Sequence, residues 1–177
     1  MSHAVFLRSV NVGGHKTFKP SQFAKELARL GVTSLGAAGS FVVTGKISPS
    51  ALRAEFQRKL PFETEIMVCP GKGLVELIRR RPFGDGPPGK DEKRVVSILA
   101  RPPRVSPAVP FARPPGADWE VRVLGVDGPF VPCLYRRRGR AVLYPNVVVE
   151  KSFGVPATTR AWNTIAAVVE ALGAVAE

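Results

Sequence analysis

Three groups of residues in this chain could take hold of an anion. The first is Arg8, Asn11, Gly13, Gly14 and Lys16, where a glycine turn follows a strand-like segment and precedes a helical one. Consecutive backbone N–H groups in such a turn can cradle an anion, with Arg and Lys supplying charge. A plain tight turn, in which Asn11 and the glycines take positive φ and Arg8 pairs with a carboxylate, accounts for the same residues. The second group is Thr158, Thr159, Arg160 and Asn163, ahead of the last apolar periodicity. Threonine there reads as a helix cap, whereas Arg160 and Asn163 are needed neither for capping nor for packing and point to a phosphate or carboxylate seat. The third is the run Arg136, Arg137, Arg138 with Arg140, which would suit a nucleic-acid backbone.

Other chemistries find little to work with. Neither GxGxxG nor GxxxxGK[ST] occurs, so dinucleotide and P-loop binding are unsupported. Two histidines, His3 and His15, are too few for a histidine-built metal site or triad, and no metal or cofactor is expected. Cys69 and Cys133 lack CxxC or Cys/His spacing and read as buried free thiols. Cys69 before Pro70-Gly71-Lys72 could be a nucleophile at a helix start, but no histidine accompanies it. Glu63, Glu65, Asp85, Asp91 and Glu92 look like surface or turn residues rather than an acid–base pair.

The chain has 177 residues with 26 Lys+Arg against 14 Asp+Glu, a formal charge of +12. That excess speaks of partners and solubility, not of fold. It is clustered, in Arg79-Arg80-Arg81 and in Arg136 to Arg140, which favours an anion-facing surface, although an Arg-rich composition throughout would give the same total. No apolar run approaches the roughly 18 residues of a membrane-spanning helix. The opening Met-Ser-His-Ala-Val-Phe-Leu-Arg leads straight into a strand-like run without signal-peptide features, and a cytoplasmic setting is expected.

The elements that would position these groups follow from periodicity. A first strand covers Ala4 to Val10, with Phe6 and Arg8 on one face and Val5 and Leu7 on the other. A helix opens at Pro20, carries Phe23, Leu27 and Leu30 on one side, and stops at Gly31. A hairpin spans Ser34 to Thr44, and a second helix is capped at Ser48 or Ser50 and lined by Leu52, Phe56 and Leu60. A strand over Thr64 to Cys69 completes the order β-α-β-β-α-β, the split βαβ of ferredoxin-like folds. Beyond it come a short helix (74–80), a strand (94–99), and six prolines between Arg101 and Gly116 that bar a central strand or helix. A three-strand meander is expected over 121–124, 130–135 and 141–144, then a final helix lined by Trp162, Ile165, Val169 and Leu172. The expected class is therefore α+β: a ferredoxin-like half, residues 1–70, packed with a second smaller α+β half, residues 71–177, which holds the Pro-rich connection (101–116) and the C-terminal helix.

Two segments are more particular than these elements require: Phe6-Leu7-Arg8-Ser9-Val10-Asn11-Val12-Gly13-Gly14, and Glu150-Lys151-Ser152-Phe153-Gly154-Val155-Pro156-Ala157-Thr158-Thr159-Arg160-Ala161-Trp162-Asn163-Thr164. With Pro82-Phe83 they give the chain a resemblance to the bacterial family known as domain of unknown function 1697. The chain departs from the family pattern at Ser9-Val10, at Ala161, and at Ala38-Gly39-Ser40, where relatives carry Ser-Gly-Asn. The resemblance implies an α+β fold with ferredoxin-like parts and brings no catalytic residue or ligand with it.

Function is thus expected to be a non-catalytic binding module for an anionic ligand, nucleic acid or a phosphorylated small molecule. The alternative is an enzyme of unassigned class with its site in a cleft between the halves. RNA-recognition domains share the βαββαβ order, which would make Phe6 and Phe41 stacking rings. The full third-strand aromatic motif is missing, which favours core for both.

Overall fold

The computed structural model of the chain describes residues 1–8, 18–138 and 143–175. It is mixed α+β, with two antiparallel sheets and five helices among the described residues, and it divides into two compact units.

The first unit comprises residues 1–76 and 163–177. Its strands are β1 (His3–Leu7), β2 (Val32–Leu35), β3 (Ser40–Val43) and β4 (Ile66–Pro70), ordered β2-β3-β1-β4. Helix α1 (Pro20–Glu26) starts on proline, whose fixed φ suits the first helical position, and after a 3-10 turn (Ala28–Leu30) the chain reverses at Gly31 with φ +67°. Helix α2 (Pro49–Lys59) starts likewise, and the Ser48 hydroxyl accepts the Ala51 N–H at 3.2 Å. Leu52 and Phe56 of α2 and Phe23 of α1 meet Val5, Leu7 and Phe41 in one apolar cluster. The Phe23–Phe56 and Phe41–Phe56 rings stand edge to face at 5.2 and 5.4 Å. Each such buried ring contributes on the order of 2 to 3 kcal/mol.

The other face of this sheet, Ala4, Phe6, Val42, Met67 and Cys69, is equally buried. A sheet buried on both faces needs a second covering layer, and α5 (Trp162–Val175) belongs to this unit from Asn163 onward. Its buried Ile165, Val168 and Leu172 form an apolar stripe at helical spacing, with Val169 only half-buried. Leu172 Cδ2 lies 3.2 Å from where a Cβ on Gly71 would stand. The final helix therefore does not go with the second half, as sequence order suggested; its stripe serves a sheet made from the other end of the chain.

The second unit, residues 77–162, begins within α3 (Gly71–Arg79) and holds β5 (Lys93–Leu99), β6 (Phe111–Arg113), β7 (Val121–Val123), β8 (Phe130–Tyr135), α4 (Pro145–Phe153) and β9 (Ala157–Ala161). The sheet order is β6-β7-β8-β5-β9. Leaving aside the edge strand β6, the strands stand second-third-first-fourth across the sheet, as they do in the first unit, and a helix again joins third to fourth. The difference lies in the crossing from first to second strand. In the first unit it is α1; here it is the six-proline connection, whose missing N–H groups and fixed φ leave room only for the three-residue edge strand β6.

One expectation about this half does not hold. Positions 141–142 of the meander's last strand lie outside the described residues, and 143–144 are irregular, with Tyr144 at the N-cap position of α4. No third meander strand can flank β8, because both its edges are taken, by β7 and β5. Helix α4 was not among the expected elements, although its signals are local: Pro145 opens it and Gly154, at φ +71°, closes it, with Val148, Val149 and Phe153 buried between.

Candidate functional site

Of the first predicted group, Asn11, Gly13, Gly14 and Lys16 lie outside the described residues. Arg8 is half-buried just past β1. Its N–H donates to Glu65 O at 3.1 Å, and its carbonyl accepts the Thr64 hydroxyl at 2.5 Å. It lines a cavity of about 670 Å³ with Gln57, Leu60, Phe62, Glu63, Thr64, Glu65 and Ile66. Two carboxylates share that lining with one guanidinium, so the described walls are of mixed charge.

Thr158, Thr159 and Arg160 are brought together, but in a strand. They form the middle of β9, which passes directly into α5, so neither threonine caps the helix. The Thr159 hydroxyl bonds to Ser97 Oγ at 2.7 Å across β5 and β9. Arg160, 6 % exposed, donates to Thr158 Oγ1 at 2.7 Å and to Thr159 O at 3.0 Å. Burial lowers its pKa to about 10, which still leaves it charged at neutral pH. Asn163 is exposed in the first turn of α5 and belongs to the other unit.

The rest of that conspicuous segment has structural work. Glu150 Oε1 accepts the Ala157 N–H at 2.9 Å, Phe153 O accepts the Arg104 N–H at 2.9 Å, and Gly154 supplies the left-handed turn between α4 and β9. Phe83, the other distinctive residue, meets Trp162 edge to face at 4.9 Å and carries the Arg94 guanidinium 5.6 Å above its ring.

The arginines after β8 divide by role. Arg136 is half-buried; its Nε donates to Trp119 O at 2.6 Å, a terminal nitrogen donates to Ala117 O, and its Cζ lies 3.9 Å from the Trp119 ring centre. Arg137 and Arg138 are exposed, and among the described residues neither side chain makes an ion pair. Arg140 lies outside the described residues. By contrast Arg80 pairs with Asp127 at 2.7 Å and Arg81 with Asp85 at 2.5 Å, so two members of the 79–81 cluster are already compensated.

Register gathers further basic residues beside Arg137 and Arg138. Arg113 on β6 pairs with Val121 on β7, Val121 with Tyr135 on β8, and Tyr135 with Lys93 on β5. Arg113, Lys93 and the run leaving β8 therefore stand at one end of the sheet. Arg122, on β7, stacks on Trp119 at 4.3 Å, and Arg113 on Phe111 at 4.7 Å. Sequence reading missed Trp119, Arg122 and Arg113; the strand register that unites them depends on β6, which is hidden among prolines.

The remaining candidates are interior. Cys69 and Cys133 are buried free thiols whose pKa values burial pushes up to about 12, so Cys69 is no nucleophile. Phe6 and Phe41 are fully buried. Among the described residues no three His, Cys, Asp or Glu side chains are grouped to hold a metal ion, and no helix is long and apolar enough to cross a membrane.

The fold and its basic sheet end thus define a two-unit α+β protein with an arginine-rich surface. The chain belongs to the family described as protein of unknown function (DUF1697), whose model matches residues 1–125, from β1 through β7. No curated protein and no solved structure matches it. The segment 150–164 lies beyond that match, and its contacts described above are those of a helix end and a strand entry.

Proposed function

We propose that this protein is a non-catalytic binding module for an anionic ligand, and that the basic end of the second unit's sheet is the contact surface. The observation that carries the reading is where the charge lies. Residues 77–162 hold sixteen Lys+Arg against seven Asp+Glu, a net +9, whereas residues 1–76 with 163–177 hold ten against seven, a net +3. A field so concentrated steers anions to one unit. Its exposed members, Lys93, Arg113, Arg137 and Arg138, are spread along strand ends rather than converging on a pocket, which favours an extended polyanion such as nucleic acid over a phosphorylated small molecule. The β-α-β-β-α-β order with sheet order β2-β3-β1-β4 supports reading the first unit as ferredoxin-like, and the buried free thiols agree with a cytoplasmic setting.

The test is binding of labelled single-stranded and duplex oligonucleotides across a salt series. Log affinity should fall steeply with log salt. Replacing Arg137 and Arg138 by Ala should lower the slope by about 0.9 per lost phosphate contact on duplex and about 0.7 on single strands. Absence of binding even at low salt would defeat the reading.

A further inference from the structure

We propose that Arg122 and Arg136, both stacked on the Trp119 indole, form a clamp for one phosphate group, a contact that deepens the reading above and rests on it. Their guanidinium carbons lie 4.3 and 3.9 Å from one ring centre, so they are no more than about 8 Å apart. Two like charges held that close repel each other, and among the described residues no carboxylate forms an ion pair with either. Glu120, the nearest acid in sequence, instead turns its Oε1 to the Arg138 backbone N–H at 3.4 Å. An anion placed against both guanidiniums would remove the repulsion.

The two arginines are prepared differently. Arg136 is fixed by the Trp119 and Ala117 carbonyls through Nε and one terminal nitrogen, which leaves its other terminal amino group for a ligand. Arg122 makes no side-chain hydrogen bond among the described residues, and its position is set by β7, where Val121 and Val123 on either side are buried in the core. Trp119 is only 4 % exposed, so the indole shields one face of each guanidinium from water while the Arg122 N–H edge and the free Arg136 amino group remain for a partner. The open fork of Arg122 and the one free amino group of Arg136 together call for an anion with at least three acceptor oxygens. That describes a phosphate better than a carboxylate.

The experiment compares wild type, Arg122→Lys and Lys90→Ala, the last an exposed charge removed elsewhere in the same unit. Two probes are used: a labelled single strand of roughly 16 nucleotides at fixed salt, and inorganic phosphate read by its effect on the melting temperature. Arg122→Lys keeps the charge but loses the fork and the stacking plane, so strand affinity should drop roughly tenfold, against less than roughly threefold for Lys90→Ala. The same melting curves establish that each variant is folded. If Arg122→Lys binds the strand as wild type does, the clamp is wrong and the polyanion reading stands. Should wild type ignore the strand while phosphate stabilises it and not Arg122→Lys, the clamp stands and the polyanion reading falls. With neither probe bound, both fall.

Discussion

Val5 on β1 stands directly opposite Phe41 on β3, which places Phe6, its neighbour in sequence, opposite Ser40 with its side chain on the other face of the sheet. The two phenylalanines that could have served as a pair of base-stacking rings are thus on opposite faces, and both are fully buried. Anion binding, if it used this sheet, could not use them.

Phe41→Ala should accordingly act on stability. The ring packs against Phe23 at 5.7 Å and Phe56 at 5.4 Å, and truncation leaves a cavity that this cluster cannot fill by small shifts. We expect a loss of about 3 to 5 kcal/mol in urea unfolding. Oligonucleotide affinity of the fraction that remains folded should be unchanged. A specific loss of affinity with unchanged stability would return Phe41 to the binding surface.

Cys69 and Cys133 should be silent toward thiol reagents. Both are buried, and with pKa values near 12 the thiolate that reacts is scarcely populated at pH 8. Native protein should therefore release the chromophore of a disulfide reagent at least about 100-fold more slowly than denatured protein, which exposes both thiols. Fast labelling of one cysteine in the native state would show that its surroundings open.

How far the sequence carried these conclusions varied with the range of the interaction. Elements set by local rules were legible: the Pro20 and Pro49 helix starts, the Ser48 cap, the Gly31 stop and the strands on either side of α2 all rest on residues a few positions apart. Long-range pairing was not. Thr158-Thr159-Arg160 before an apolar helix satisfies the pattern of a cap, and only the pairing of Thr159 with Ser97, some 60 residues away, makes it a strand. In the same way Arg136 was legible as a charge, whereas its bonds to the Ala117 and Trp119 carbonyls depend on how β7 and β8 align. Composition announced the +12 charge, and only the division into units located most of it in residues 77–162.

His3 gives a stability that depends on mild acid. It is 2 % exposed, and its Nδ1 has no hydrogen-bond partner among the described residues. Burial first, and then the positive N-terminus, lower its pKa from the ordinary 6.5. The unfolded chain therefore binds a proton as pH falls below about 6.5 while the folded chain resists it. Stability should be flat in this respect above that pH, decline as pH drops below it, and level off once the folded form is protonated too. Comparing urea midpoints at neutral and mildly acid pH checks this, and His3→Asn should remove its share of the decline. An identical decline in the variant would assign it to other groups.

Gly31 and Gly36 allow backbone strain to be separated from collision. Both have positive φ, +67° and +70°, a region that costs an L-residue roughly 1 kcal/mol or somewhat more. A Cβ at Gly36 would meet nothing within 4 Å, whereas one at Gly31 would stand 2.2 Å from Thr44 Oγ1 and 3.2 Å from the Gly45 nitrogen. The Gly31 carbonyl also accepts the Thr44 N–H at 3.1 Å, so the contact cannot be relieved without disturbing the join between α1 and β3. Gly36→Ala should thus cost about 1 kcal/mol, the strain alone. Gly31→Ala should cost about 2 to 3 kcal/mol, because displacement of Thr44 is added to the same strain. In the double variant Gly31→Ala with Thr44→Ala, part of that excess should return. If the two single variants prove equally destabilised, the close approach of Thr44 to Gly31 does not limit this turn.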